Sequence, residues 1–469
     1  MNPRSVPPVN RPIAKTVIFR RPHRPAAETG RRPSWRDYQV QLKRRRSGVR
    51  IRRPLMLKSA AILVAVSLLA WSLLDGPASS PPPVPSPGPA QAAVGPTAGP
   101  LLSKSDVQDL LAGRPVADLL EERTQVRWGE QKLVIEPSID QPLQAYLTKR
   151  LYERTSRYIG IVVMEAQGRV LAMVGFDKND PEGNPCLSNR YPAASVFKIV
   201  TAGAAIEHCH LSSGSPMTYN GAKHTLYKSQ LKDIKNRYTH QTTLAASFAQ
   251  SVNPVFGKLG SLCLKQETLA HYAEVFGFNH PIPFELPVPP SRAPLTDDPY
   301  QWAEVASGFN RQTVISPLHG ALLAAVALNG GRLVEPTIVD RITGPDGQVL
   351  YRPDHVADQR AVTSPTAKEM ARLMRETVRR GTARKQFRSR TKDRVLSQLE
   401  IGGKTGSIDN ADHDVRYDWF VGFARYPNSQ DAIAVAAVVA HEKYIGRRAG
   451  EYARMAMTEY FRPRIASQE

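Results

Sequence analysis

A chain of 469 residues with a 41% hydrophobic fraction has room for one large domain with additions, or for two. Its formal net charge of +21 is unevenly placed: residues 1–54 carry 14 Arg and 2 Lys against Glu28 and Asp37, leaving only +7 for the rest. That asymmetry excludes reading the whole chain as a nucleic-acid binder, because the basicity belongs to a tail rather than to the body.

The tail is followed by Leu55–Leu74, an apolar run with a single charge, Lys58, near its start. At about 1.5 Å per residue it spans about 30 Å as a helix, the thickness of a bilayer's hydrocarbon core, and Lys58 can snorkel to the interface. Arg44, Arg45, Arg46, Arg50, Arg52 and Arg53 stand just before it, so the positive-inside rule keeps residues 1–54 in the cytoplasm. The expected organisation is a disordered basic tail at 1–54, a transmembrane anchor at 55–75 and a linker at 76–100. Nine prolines among Ala, Ser, Gly and Val make that linker a semi-stiff tether without a core. Leu101, Leu102, Val107, Leu110 and Leu111 point to a short amphipathic helix in a membrane-proximal segment, 101–130, and a globular pattern runs over 131–469.

Within that pattern, Ile159–Glu165 and Arg169–Gly175 read as hairpin strands joined around Gln167-Gly168. An apolar helix opens at Ser195 and stops before Ser212-Ser213-Gly214. A polar, largely helical middle follows, with a Pro-rich loop at 281–300. Helices are expected at Pro317–Leu328 and Pro365–Arg380, strands at Glu400–Ser407, Trp419–Ala424 and Ala432–Ala440, and a closing helix at 448–460. Strands at both ends with helices between predict an α/β fold: a mixed antiparallel sheet, completed by the two ends of the domain, flanked by helices and carrying an all-helical subdomain.

Three short motifs carry chemistry: Ser195-Val-Phe-Lys198, Ser251-Val-Asn253 and Lys404-Thr405-Gly406. Ser-x-x-Lys also occurs at Ser229–Lys232 and Ser389–Lys392, but in polar or basic runs that read as surface. Ser195 instead opens a buried helix, where the dipole favours a developing anion, and Lys198 lies on the same helix face. A lysine acts as a base only when neutral; burial and a second cation, for which Lys404 is the candidate, both push it that way. Ser251 can pass a proton between Lys198 and a leaving amine, and the Asn253 amide can orient Lys198 or a substrate carbonyl. Ser and Asn are also ordinary helix caps, so this motif has a purely structural reading. Lys404 and Thr405 can bind an anionic terminus. Gly402-Gly403 leaves the strand edge open to a substrate backbone, and the Ser407 and Ser195 N–H groups can form an oxyanion hole.

Together these motifs resemble the penicillin-binding transpeptidases and the serine β-lactamases. Val134–Asp140, the hairpin Ile161–Glu165 with Arg169–Met173, Ser307-Gly-Phe-Asn310, Ser316-Pro317, Asn329-Gly-Gly331 and Asp418-Trp-Phe-Val-Gly422 agree with the same family, across about 131–460. The resemblance implies that Ser195 attacks the penultimate D-Ala carbonyl of a peptidoglycan stem peptide, with Lys198 taking its proton. Ser251 then relays, and Asn253, Lys404, Thr405, Gly406 and Ser407 bind substrate; β-lactams would acylate Ser195 in its place. No metal or other cofactor is expected. The implied place is a bacterial inner membrane, with the catalytic domain outside the cytoplasm and a lipid-linked glycan polymerase as partner. The membrane-proximal region is unusually short for the family. The alternatives are a D,D-carboxypeptidase or β-lactamase, which would need a second base that the sequence does not mark, and a non-enzymatic β-lactam sensor or scaffold.

The eleven histidines show no metal-ligand spacing. Cys209 and Cys263 lie 14 and 12 residues beyond Ser195 and Ser251, so two helices leaving one site side by side would bring them together as a disulfide. Residues 384–394 form a basic run expected to be a solvated loop.

Overall fold

The computed structural model describes residues 102–114, 116, 123–353, 359–427 and 429–467. The expected tail, anchor and tether lie outside these residues. Among those described, no helix is long and apolar enough to cross a membrane.

The strands that carry the architecture are β1 (Thr124–Trp128), β2 (Gln131–Pro137), β3 (Ser156–Glu165), β4 (Val170–Asp177), β5 (Val339–Thr343), β6 (Val349–Tyr351), β7 (Glu400–Asp409), β8 (Arg416–Arg425) and β9 (Ala432–His441). The central sheet has the order β7-β8-β9-β3-β4, and every pairing in it is antiparallel. Its closure joins the two ends of the domain, with Ala436 opposite Val162. The helices are α1 (Lys104–Leu111), α2 (Gln141–Thr148), α3 (Lys198–His208), α4 (Leu244–Ala249), α5 (Asn253–Lys258), α6 (Lys265–Val275), α7 (Pro299–Ser307), α8 (Pro317–Leu328), α9 (Ser364–Arg379) and α10 (Ala449–Ala466).

Strand β9 shows why the sheet is sandwiched. All ten of its residues are buried, and their alternation divides them between two cores. Ile433, Val435, Ala437 and Val439 pack with α2 and α10. Ala434, Ala436, Val438 and Ala440 pack with α8 and the helical part. Small residues on the second face let α8 lie close: a Cβ on Gly320 would sit 3.1 Å from that of Ala436. Helix α8 itself is capped by Ser316, whose Oγ accepts from His319 N at 3.1 Å, and Pro317 supplies its first turn. Each valine or isoleucine buried here contributes roughly 1.5–3 kcal/mol.

The boundary expected at 131 falls inside a hairpin. β1 and β2 pair directly, and they continue through β5 to β6 in a second sheet. Val107, Leu110 and Leu111 of α1 share a core with Val126, Leu133 and Ile135, and Leu102 N donates to Leu350 O at 2.7 Å. The described residues between 102 and 130 therefore belong to the globular body. The buried Glu285 carboxylate locks this second sheet, accepting from Thr337 Oγ1 (2.6 Å), Tyr351 OH (2.7 Å) and Ile338 N (3.1 Å). The expected all-helical middle also contains a small hairpin, Pro216–Tyr219 with His240–Thr243.

Helix α3 ends at Cys209, and α5 runs on into a wide π turn, Leu259–Leu264, that contains Cys263. The two cysteines are bonded, with Cα atoms 6.5 Å apart. The bond closes a loop with a sequence separation of 54 residues. Replacing both cysteines by serine should lower unfolding free energy by about 2–4 kcal/mol, through the entropy regained by the unfolded chain. Denaturant titration checks this, and equal midpoints for the two proteins would refute it.

Candidate active site

The nucleophile turn is anchored before it begins. Tyr191–Pro192 pairs with Val314–Ile315, and the buried Trp419 indole donates to Pro192 O at 2.9 Å. Ala194 then takes φ +48°, a left-handed conformation that costs a non-glycine residue about 1–3 kcal/mol. Residues Ala194–Phe197 form one 3-10 turn, and the regular helix starts only at Lys198. Ser195 thus stands on a tight turn ahead of the helix rather than at its first position. It is half-exposed, while Ala194, Val196 and Phe197 around it are buried.

Lys198 is fully buried. Its Nζ lies 2.8 Å from Ser195 Oγ, 2.8 Å from Asn253 Oδ1 and within hydrogen-bonding distance of Ser307 O. Burial first, then the charge of Lys404, hold it well below the ordinary lysine value. A neutral amine has two N–H donors and one lone pair. Asn253 Oδ1 and Ser307 O accept but cannot donate, so they take the two hydrogens and leave the lone pair for the Ser195 hydroxyl. The Asn253 amide is fixed in that sense, because its Nδ2 donates to His224 O at 3.1 Å and its backbone N to Lys223 O at 2.7 Å. The Phe256 ring centroid lies 5.5 Å from Lys198 Nζ.

Ser251 is not a helix cap. The residue at the cap of α5 is Val252, with no side-chain cap bond. Ser251 has φ +55° and accepts from Lys404 Nζ at 3.0 Å. Lys404 also donates to Thr405 O at 2.7 Å, and burial pushes it down to about 7. It is Asn253, not Ser251, that reaches Lys198.

Strand β7 is an edge of the central sheet. Its alternation buries Lys404 and Gly406, while Thr405 is half-buried and Ser407 exposed. A Cβ on Gly406 would lie 3.3 Å from Ala193 O and 3.3 Å from Ala194 Cβ, so the strand runs directly beside the nucleophile turn. The Ser407 hydroxyl is 3.3 Å from Asp418 Oδ1. Gly402 and Gly403 have a packing reason that differs from the one read in the sequence. Cβ atoms there would lie 2.6 Å from the Phe423 ring and 2.4 Å from that of Phe420. Ser229 and Ser389, of the other Ser-x-x-Lys matches, are exposed.

Three contributors escape motif reading. Ser307 acts through its carbonyl, which leaves no side-chain signature. Thr382 bonds Thr405 hydroxyl to hydroxyl and is held by Ala249 O, which accepts from Thr382 N at 3.0 Å. Gly308 caps α7 at φ +65°, where a Cβ would fall 1.8 Å from Ala194 O. Ser307-Gly-Phe-Asn310 was the available signal, but only as a family likeness.

A hydroxyl facing a neutral amine, a second amine beside it, and an open strand edge define a serine acyl-transfer site in a two-sided sheet domain. The penicillin-binding protein transpeptidase domain matches residues 159–458, and the chain belongs to that family. It is 25% identical to the peptidoglycan D,D-transpeptidase PbpA of Mycolicibacterium smegmatis over 378 residues, 72% of each chain. Against PbpA of Mycobacterium tuberculosis the identity is 25% over 284 residues, 59% of this chain and 55% of the relative. The fold matches the crystal structure of the M. tuberculosis protein with a TM-score of 0.57 at 21% identity, over 69% of this chain and 81% of that one. Its penicillin G acyl-enzyme complex matches with a TM-score of 0.54 at 21% identity, over 77% and 87%.

Replacing Gly308 by Ala should push Ala194 O and the Ser195 turn outward. The expected result is at least about a tenfold drop in acylation by a fluorescent penicillin, since small displacements of reacting groups cost rates of this order. Stopped-flow labelling measures it, and an unchanged rate would show that the turn tolerates displacement.

Proposed function

We propose that the chain is a peptidoglycan D,D-transpeptidase that cross-links stem peptides through an acyl-serine intermediate and is inhibited by β-lactams. The observation that carries this reading is Lys198, buried and depressed, with its lone pair left to the Ser195 hydroxyl. Ser195 Oγ attacks the penultimate D-Ala carbonyl carbon while its proton passes to Lys198 Nζ. The Ser195 and Ser407 N–H groups hold the oxyanion. The intermediate collapses with cleavage of the D-Ala–D-Ala amide bond, and the terminal D-Ala leaves with the proton returned by Lys198; the amine of a second stem peptide then attacks the ester carbon, its proton passes through Lys198 to Ser195 Oγ, and the ester C–O bond breaks. Lys404 and Thr405 hold the substrate carboxylate, Gly406 keeps the strand close, and Asn253 orients Lys198. Curated relatives named as D,D-transpeptidases support the reaction class.

Hydrolysis of the acyl-enzyme is the competing outcome. Among the described residues no carboxylate hydrogen-bonds Ser195, Lys198, Ser251 or Asn253, so no acid stands ready to activate a deacylating water. Transfer to an amine is therefore favoured. The apolar run at 55–75, with arginines before it, supports a single membrane anchor with residues 1–54 in the cytoplasm and the catalytic domain outside. A lipid-linked glycan polymerase fits as the enzyme that supplies strands to this domain.

Ser195→Ala should reduce covalent labelling by a fluorescent penicillin to background on a denaturing gel, and persisting label would place the nucleophile elsewhere. With a D-Ala-D-Ala ester donor, added D-amino acid should divert product from hydrolysis to exchange; hydrolysis alone would make the chain a carboxypeptidase.

The pH profile of the second-order acylation rate has two limbs. Below its depressed pKa Lys198 takes a proton and cannot accept one from Ser195, so the rate falls with acid. Above about 7 Lys404 loses the charge that holds the β-lactam carboxylate, so the rate falls again. A rate that climbs steadily from neutral pH to the ordinary lysine range would contradict both assignments.

A further inference from the structure

An alkyl amine is an ammonium at neutral pH, so the acceptor reaches the acyl-enzyme with one proton more than its attacking form. The proton lost after attack passes through Lys198 to Ser195 Oγ. The earlier proton needs a base of its own. Among the described residues no carboxylate hydrogen-bonds Lys198, Ser251 or Asn253, so that base is not an acid side chain bound to the cluster.

His224 stands beside the cluster on a fixed backbone. Lys223 O accepts from Asn253 N at 2.7 Å, and His224 O accepts from Asn253 Nδ2 at 3.1 Å. The flanking residues are held too. Thr225 Oγ1 donates to Ala222 O at 3.1 Å, and Tyr300 OH donates to the carbonyl of the buried Leu226 at 2.8 Å. A Cβ on Gly257 would lie 2.7 Å from Leu226 Cδ1, so this stretch rests directly on α5. From there the imidazole hydrogen-bonds the Ser251 backbone, while the residue stays exposed. Ser251 Oγ and Asn253 Oδ1 are the groups that touch Lys404 and Lys198. The ring therefore borders both lysines and also reaches solvent.

The bond to Ser251 decides what the ring can do. A backbone carbonyl only accepts, so one ring nitrogen carries the N–H that meets it. In a neutral imidazole the other nitrogen then keeps its lone pair. Burial holds His224 below the ordinary histidine range, the Ser251 carbonyl works the other way, and charge on Lys198, Lys404 and Lys223 adds to the depression. Those charges act on it from α3, from β7 and from its own segment. At neutral pH the imidazole is thus in its proton-accepting form. Its exposure lets it release a proton to water, which the two buried lysines cannot do directly.

We propose that His224 is the catalytic base for the acceptor, taking the surplus ammonium proton before the amine attacks the acyl-enzyme. The inference rests on the transpeptidase reading and deepens it. One N–H bond of the ammonium breaks and an imidazole N–H bond forms. The amine lone pair then bonds to the ester carbon, a second proton goes through Lys198 to Ser195 Oγ, and the ester C–O bond breaks. His224 holds the first proton until the amide has formed and then gives it to solvent.

The test lets two acceptors compete for the acyl-enzyme that the full chain forms from a D-Ala-D-Ala ester donor. One is a D-amino acid, an ammonium at neutral pH; the other is methoxyamine, which is already neutral. The ratio of the two products reports the acceptor step alone, free of acylation and hydrolysis rates. At pH 7, His224→Ala should lower the ratio of D-amino acid product to methoxyamine product about tenfold or more. His224→Gln, which keeps an N–H for Ser251 O but cannot take a proton, should lower it as much. In the parent the ratio should stay level above the depressed histidine range and fall below it, as His224 becomes protonated. In both variants it should climb about tenfold per pH unit, following the fraction of free amine. A ratio unchanged in His224→Ala, restored in His224→Gln, or climbing in the parent as in the variants would overturn the assignment. Penicillin labelling checks that each variant is folded, and the pH profile of the parent decides the matter if one is not. A parent that labels and hydrolyses the donor but transfers to neither acceptor loses the transpeptidase reading together with this inference, whereas transfer with an unchanged ratio loses only His224.

Discussion

Two lysines, both fully buried and, among the described residues, neither paired with a carboxylate, set the terms for this structure. An isolated ammonium in a low-dielectric interior is costly, and two near each other are more so. The resolution is that burial lowers the affinity of each for its proton, and the charge of Lys404 lowers that of Lys198 further. That is a penalty for folding and an asset for chemistry, because a neutral amine accepts a proton and an ammonium does not. Each lysine is surrounded by neutral oxygens and an aromatic ring in place of acids. Ser307 O and Asn253 Oδ1 serve Lys198; Ser251 Oγ and Thr405 O serve Lys404. A carboxylate beside Lys198 would restore its charge and remove the base.

The same demand explains the backbone around the site. Ala194 and Ser251 both sit at positive φ, and both belong to the motif-bearing turns. Such conformations persist only where the surroundings over-determine them. Here the determinants come from distant parts of the chain: Trp419 on Pro192, Gly308 under Ala194 O, and Gly406 against Ala193. The Cys209–Cys263 bond ties the far ends of the helices that carry Lys198 and Asn253. Two strained turns on two helices are thereby held in one register relative to each other.

What the sequence made legible followed from side-chain chemistry and local periodicity. The apolar runs gave α8 its bounds, Pro317–Leu328, and placed β3, β4, β8 and β9 to within a few residues. The three motifs converge because each contributes a side chain. Other features depend on contacts that local patterns do not encode. Ser307 works through a carbonyl, and every residue has one. Gly402 and Gly403 yield to rings on the neighbouring strand, which requires knowing the register of β7 against β8. Helix α1 and strand β1 looked like a spacer because their apolar residues are few, and only the second sheet reveals what they cover. The hairpin at 216–243 was hidden by its polarity, since most of its residues face solvent.

The position of β7 joins these points. An edge strand offers unpaired backbone groups, and folded proteins usually cover or blunt such an edge. Here Lys404 turns inward to the buried cluster, while Thr405 and Ser407 remain accessible on the next positions. A strand of period 2 can thus act on both sides of one register: it fixes the ammonium in the interior and presents hydroxyls and backbone outside. An extended peptide that adds to this edge would lie alongside Ser195, because Gly406 keeps the strand against the nucleophile turn. A side chain at 406 would separate strand from turn, and with them the anion-binding and nucleophilic halves of the site. The glycine of Lys-Thr-Gly is therefore the contact through which sheet geometry becomes reaction geometry.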